Sequence, residues 1–346
     1  MQRSATLDGV RGVAIALVVG FHALGTFAPP TLHPALWPLA GGTLGVDLFF
    51  VLSGYLLVSS WEANRSLGEF WRRRAKRVLP AYWLSLAVLV PLRAPHLLHQ
   101  TGRLALFASM QPFLAPRLPW AVNASYWSLT PEIHFYLVLP LLYAALSRLG
   151  ARRTLLIVFA LSIVWRVLST SHYHFPADML PGRVDQFAAG MAAATAGERA
   201  GVLASRAAAL AAGGGLSIVV PSYGWLFWHT GGDPPHLVEA LAHPVIGLLI
   251  AVAFLRLARV GRVRVLEARP LAALGVISYS LYLWHLPVLM LVRRIGHAGA
   301  HLGAGVAAAL VVATASYFAV ERPFLRRGRV QRSEPVRAPA LSAATS

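Results

Sequence analysis

The sequence predicts an all-α integral membrane protein, a bundle of about ten transmembrane helices with both termini in the cytoplasm. Three observations carry this. Hydrophobic residues make up 57% of the chain and charged residues only 13%, a balance that excludes an ordinary soluble domain. The apolar residues fall in repeated blocks of roughly 17–22, each long enough to cross ~30 Å of hydrocarbon. The cations between blocks alternate, so that 24 of the 31 Lys and Arg lie on one side, which the positive-inside rule makes cytoplasmic. A net charge of +18 would suggest nucleic acid in a soluble protein, but here topogenesis accounts for it. The chain has no cysteine, which excludes disulfides, thiolate metal sites and a cysteine nucleophile.

In order, the predicted spans are 8–27, 42–60, 78–93, 125–146, 153–170, 181–197, 203–220, 237–256, 270–291 and 299–320. The first resembles a signal peptide only superficially, because Arg11, Gly12 and His22 interrupt its apolar run. Arg11 and His22 are eleven residues apart, so at ~100° per residue they return to one helix face roughly 16 Å apart. Ionisable groups in a membrane are costly and mark functional sites by default.

Span two, GGTLGVDLFFVLSGYLL, places Asp47 near its outer end, at the depth that His22 reaches from the other direction. The two are expected to pair, the carboxylate fixing the imidazole tautomer. Gly41, Gly42, Gly45 and Gly54 allow a close approach of another helix or a ligand. The segment EFWRRRAKRVLPAYW follows, with five cations in six residues over 72–77. It is read as a cytoplasmic loop where Arg72, Arg73, Arg74 and Arg77 either bind anionic lipid or clamp the phosphates of a cytosolic donor. The Pro-rich outer segment 94–124 is expected to be re-entrant or interfacial, covering something on the outer face. Outer loops 28–41 and 221–236 are rich in Pro, Trp and His, suiting an interfacial aromatic belt.

Span four opens with ASYWSLTPEIHFYLVLP, where Glu132 and Tyr136 share a face and His134 points elsewhere. Span six carries Arg183 and Asp185 near its outer start, paired either in the cavity or with interfacial water. In span nine, Ser278, Tyr282 and His285 form a polar stripe at i, i+4 and i+7. The chain closes with a transmembrane domain over 1–327 and a basic tail, 328–346, expected to be disordered cytoplasm. No internal repeat is evident, which weighs mildly against transporters built on inverted repeats. Together the residues supply a base candidate, an orienting acid and phosphate clamps, with the cations inside and the His/Asp pair toward the outside. A transporter or flippase of a hydroxylated lipid or sugar is the rival reading, since intramembrane charges also mark transport paths.

Six pieces then resemble, in order, the bacterial membrane acyltransferase 3 family: LDGVRG with a histidine eleven residues after the arginine, GVDLFFVLSGYL, FWRRRAKRVLPAYW, WSLTPEIHFYL, ISYSLYLWH and VERP, covering about residues 5–327. The resemblance implies an inner-membrane, multi-pass O-acyltransferase using cytoplasmic acetyl-CoA, or another acyl-CoA, and no metal. It implies essential roles for Arg11 and His22 and maps family acids onto Asp47 and Glu132. It maps the family's basic segment onto Arg74 and Arg77, and more loosely onto Arg72 and Arg73. The acceptor it implies is a carbohydrate or lipid-linked sugar, with a macrolide-type metabolite as the alternative. Larger members carry a C-terminal hydrolase-like domain outside the membrane that is not expected here. In the expected mechanism His22 is the base, or briefly carries the acyl group, and Asp47 orients it.

Overall fold

The apolar blocks fold as helices close to where the sequence places them. In a computed structural model describing residues 4–27, 41–62, 66–114, 119–169, 177–231, 234–295 and 301–325, the described residues are helical with short connections and contain no strand. The long helices are α1 (Ala5–Phe27), α2 (Gly45–Glu62) and α3 (Leu67–Arg93), then, after the short α4 (Thr101–Ala108), α5 (Leu129–Leu168) and α6 (Leu180–Ala196). They continue with α7 (Arg206–His229), α8 (His236–Val260), α9 (Arg269–Ile295) and α10 (His301–Ser316), which runs on through a π turn at Tyr317–Glu321. Among the described residues, six helices are long and apolar enough to cross a membrane. The tail 328–346 and most of the outer loop 28–41 lie outside the described residues.

Two backbone contacts set the bundle. A Cβ on Gly12 of α1 would lie 2.1 Å from the Leu271 carbonyl oxygen, so α1 and α9 touch without intervening side chains. Likewise a Cβ on Gly54 of α2 would lie 2.0 Å from the Phe187 carbonyl oxygen, and one on Gly190 of α6 would lie 1.9 Å from that of Val51. Only glycine fits at such approaches. The glycines of span two therefore serve helix contact: Gly42 and Gly45 meet the backbone of α1, and Gly54 meets α6. Beside that seam Phe135 stacks on Phe187 at 4.1 Å, and Phe50 lies 4.7 Å from the same ring.

Two boundaries differ from the sequence reading. α3 starts eleven residues before the predicted 78, so the basic run is helical and not a loop. The reason is an N-cap: the Ser66 side chain accepts from the Glu69 amide, and Glu69 ion-pairs with Arg72 and Arg73 along the first turns. α7 runs through Pro221 to His229 and absorbs the Tyr223–His229 segment expected to be an outer loop. Spans four and five are two helices, as predicted, because Gly150 takes φ +78° and divides α5 into 129–149 and 151–168. Residues 94–114 and 119–128 fold as short helical turns that bury Leu97, Phe107, Met110 and Val122. Tyr82 donates to the Phe107 carbonyl at 2.7 Å, Thr130 to that of Met110 at 2.9 Å, and Asn123 to that of Leu283 at 2.9 Å. These bonds tie the turns to α3, α5 and α9.

Candidate active site

α2 has two polar faces, and they lead to different places. Val46, Phe49, Phe50, Ser53, Leu57 and Ser60 line a cavity of about 350 Å³. From Val46 to Ser60 the helix rises ~21 Å, so the cavity follows most of its length. Arg11 of α1, Arg74 and Arg77 of α3, Ser128 just before α5, Glu132 and Tyr136 of α5, and Ser278, Tyr279 and Tyr282 of α9 complete the polar lining.

In that cavity Tyr136 donates to Glu132 at 2.5 Å, and Ser53 reaches the same carboxylate at 3.5 Å. The Glu132–Tyr136 face is thus as the spacing predicts, and His134 points away to Gln111 at 2.8 Å. Arg11 is held by Asp8 at 2.9 Å. Among the described residues neither Arg74 nor Arg77 has an ion-pair partner, and the buried Arg74 Nε has no hydrogen-bond acceptor. Arg72 and Arg73, by contrast, are tied to Glu69. A donor-rich wall facing one carboxylate suits a bound anion, and forked guanidiniums suit phosphate oxygens.

His22 is not part of the cavity wall. Beyond Tyr282, whose hydroxyl shares a 2.7 Å hydrogen bond with Ser128, lies the His285 ring at 5.8 Å, and beyond that the His22 ring at 4.9 Å. The stripe Ser278, Tyr282, His285 therefore runs from the cavity to His22, as its helical spacing anticipates.

The expected His22–Asp47 pair does not form. Asp47 sits seven residues before Gly54 and shares its stripe, so it faces α6 and α8. Its carboxylate accepts from His243 Nδ1 at 2.8 Å, from Gln186 Nε2, and from Arg183 at 3.4 Å. Arg183 also pairs with Asp178 and lies over the Trp127 ring at 5.6 Å. Asp185 grips Arg166 with both oxygens, at 2.9 and 3.1 Å. Arg183 and Asp185 thus belong to a buried network between helices, outside the cavity. The sequence reading did not single out Asp178, Gln186 or His243 as partners. The i, i+3 spacing of Arg183 and Gln186, four residues before Gly190, was the available signal for one of them.

Residues 4–320 match the acyltransferase 3 family, described as an acyltransferase domain. The chain is 31% identical over 351 residues to a protein of Komagataeibacter xylinus named as the membrane-bound transacylase BcsY, covering 92% of this chain and 82% of that one. It is 30% identical over 309 residues to the exopolysaccharide production protein ExoZ of Rhizobium meliloti, covering 84% and 92%. It is 27% identical over 368 residues to the peptidoglycan O-acetyltransferase OatA of Listeria monocytogenes, covering 93% of this chain but only 56% of that longer protein. No solved structure matches. With the match running over nearly all the helices that build the cavity and the histidine pair, the chain belongs to the acyltransferase 3 family of membrane O-acyltransferases.

Proposed function

We propose that this chain moves an acetyl or other acyl group from cytoplasmic acyl-CoA to a hydroxyl of a carbohydrate or lipid-linked sugar across the inner membrane. The observation that carries the reading is the charge imbalance of the cavity, where Arg74 and Arg77 face one carboxylate, Glu132, while Arg11 is matched by Asp8. Phosphates of the donor lie at Arg74 and Arg77, at the end of α2 that the positive-inside rule assigns to the cytoplasm. A volume of about 350 Å³ is at the small end for ligand sites, so it takes the pantetheine arm and thioester and leaves the nucleotide at the basic mouth. The arm points at Tyr282, and the Tyr282–Ser128 contact must open for the thioester to meet His22. His22 takes the proton of the acceptor hydroxyl, the oxygen bonds to the acyl carbon, the C–S bond breaks, and the thiolate leaves and is protonated.

The carbohydrate acceptor is supported by the printed names of relatives, one an exopolysaccharide production protein and one a peptidoglycan O-acetyltransferase. Ten spans follow if 45–62, 129–149, 151–168 and 180–196 also cross the bilayer, and an even count returns both termini to the cytoplasm. The test is free-thiol release from acetyl-CoA by purified protein in nanodiscs, supplied with pooled glycan acceptors, beside His22→Ala. Turnover lost in the variant supports the assignment, and turnover that survives it removes His22 as base. Since the chain has no cysteine, single introduced cysteines probed from each side map the topology directly.

A further inference from the structure

We infer that His285 is the positioning residue for His22, doing with a neutral imidazole what a carboxylate does in a triad; this rests on His22 being the base. The hydrogen bonds fix the tautomers of both rings. His285 Nδ1 lies 2.9 Å from the Tyr282 carbonyl oxygen and 3.1 Å from that of Leu281. Carbonyl oxygens only accept, so this nitrogen carries the hydrogen and Nε2 of the neutral ring offers its lone pair. That lone pair faces His22 Nδ1 at 3.2 Å. His22 Nδ1 also lies 2.9 Å from the Val18 carbonyl oxygen, again an acceptor only. One N–H on His22 Nδ1 serves both acceptors, and His22 Nε2 is left with its lone pair for a substrate proton.

The alternative, a protonated His285 donating to His22, would remove the donor from Val18 and put a cation on a side chain with 0% exposure and, among the described residues, no carboxylate in contact. When His22 Nε2 takes a proton, the charge on the ring strengthens its Nδ1 hydrogen bond to His285 Nε2. His285 itself is held rigid by the i−3 and i−4 carbonyls of α9, so the acceptor is in place before the reaction.

Two measurements on the full chain test this. The first compares His285→Leu, which fills similar space without an acceptor, with His285→Gln, whose side-chain oxygen reaches about as far as the lost Nε2. His285→Leu is expected to lower kcat roughly 10–100-fold, as loss of an outer-shell partner does, with KM for acetyl-CoA unchanged, and His285→Gln to regain much of it. Full kcat in the Leu variant, or equal loss in both, overturns the inference. The second needs no variant: ¹⁵N-histidine spectra of the wild-type protein should show His22 as the Nδ1–H tautomer, and an Nε2–H tautomer overturns it. Activity surviving in His22→Ala would remove the base reading instead, leaving the tautomer spectrum to judge the contact alone.

Discussion

The two polar clusters of this protein share a helix and differ in balance. Along one stripe of α2 lies a cavity in which Arg74 and Arg77 have no ion-pair partners among the described residues. Along the other, Asp47 takes part in a network in which Arg166 meets Asp185 and Arg183 meets both Asp178 and Asp47. Buried charges are tolerable only when matched. The matched set therefore reads as helix-to-helix adhesion, and the unmatched set as a place where charge is to be supplied by a ligand. Charge inside a membrane protein marks a site most strongly where the protein itself fails to neutralise it.

The comparison breaks if variants in the two clusters behave alike. At the reacting end, His22→Ala should lower turnover by roughly 10²–10⁴-fold with an unchanged unfolding temperature in detergent. In the matched network, Asp185→Ala strands Arg166, whose side chain is 2% exposed. It should cost ~3–5 kcal/mol of stability, read as an early thermal unfolding transition. A normal melt would show that the network does not hold the helices. At the cavity mouth, Arg77→Gln removes a charge-assisted contact of ~1.5–3 kcal/mol. KM for acetyl-CoA should rise about 10–100-fold with little change in melting, and an unchanged KM would place the phosphates elsewhere.

The smallest effect belongs to the exposed corner before α9. There Arg262 and the Thr6 hydroxyl hold the Glu267 carboxyl down, from an ordinary 4.5 to about 2. A lowered folded value means the contact contributes above pH 4.5 and is lost as pH falls toward 2. Glu267→Gln should flatten that part of the acid melting profile slightly and leave turnover untouched.

Much of this was legible in residues alone, because helical periodicity is a local property. The stripe Ser278, Tyr282, His285 and the pair Glu132, Tyr136 needed only ~100° per residue, and both hold. The early start of α3 was equally local, since Ser66 caps it through the Glu69 amide, but the density of cations obscured it. The pairing of Asp47 was not local. Depth alone favoured His22, yet a carboxylate on the Gly54 stripe is committed to whichever helix packs closest to that glycine.

The sequence by itself determined the class of the molecule, its helices, the faces on which its polar groups lie, and its family motifs. The tertiary structure decided which faces meet. Asp47 joins His243 across 196 residues, and His285 joins His22 across 263. Periodicity fixes the direction of a side chain about its own helix axis. The neighbour it meets is set by backbone contacts at Gly12, Gly54 and Gly190, whose partners lie on other helices and leave no trace in local spacing.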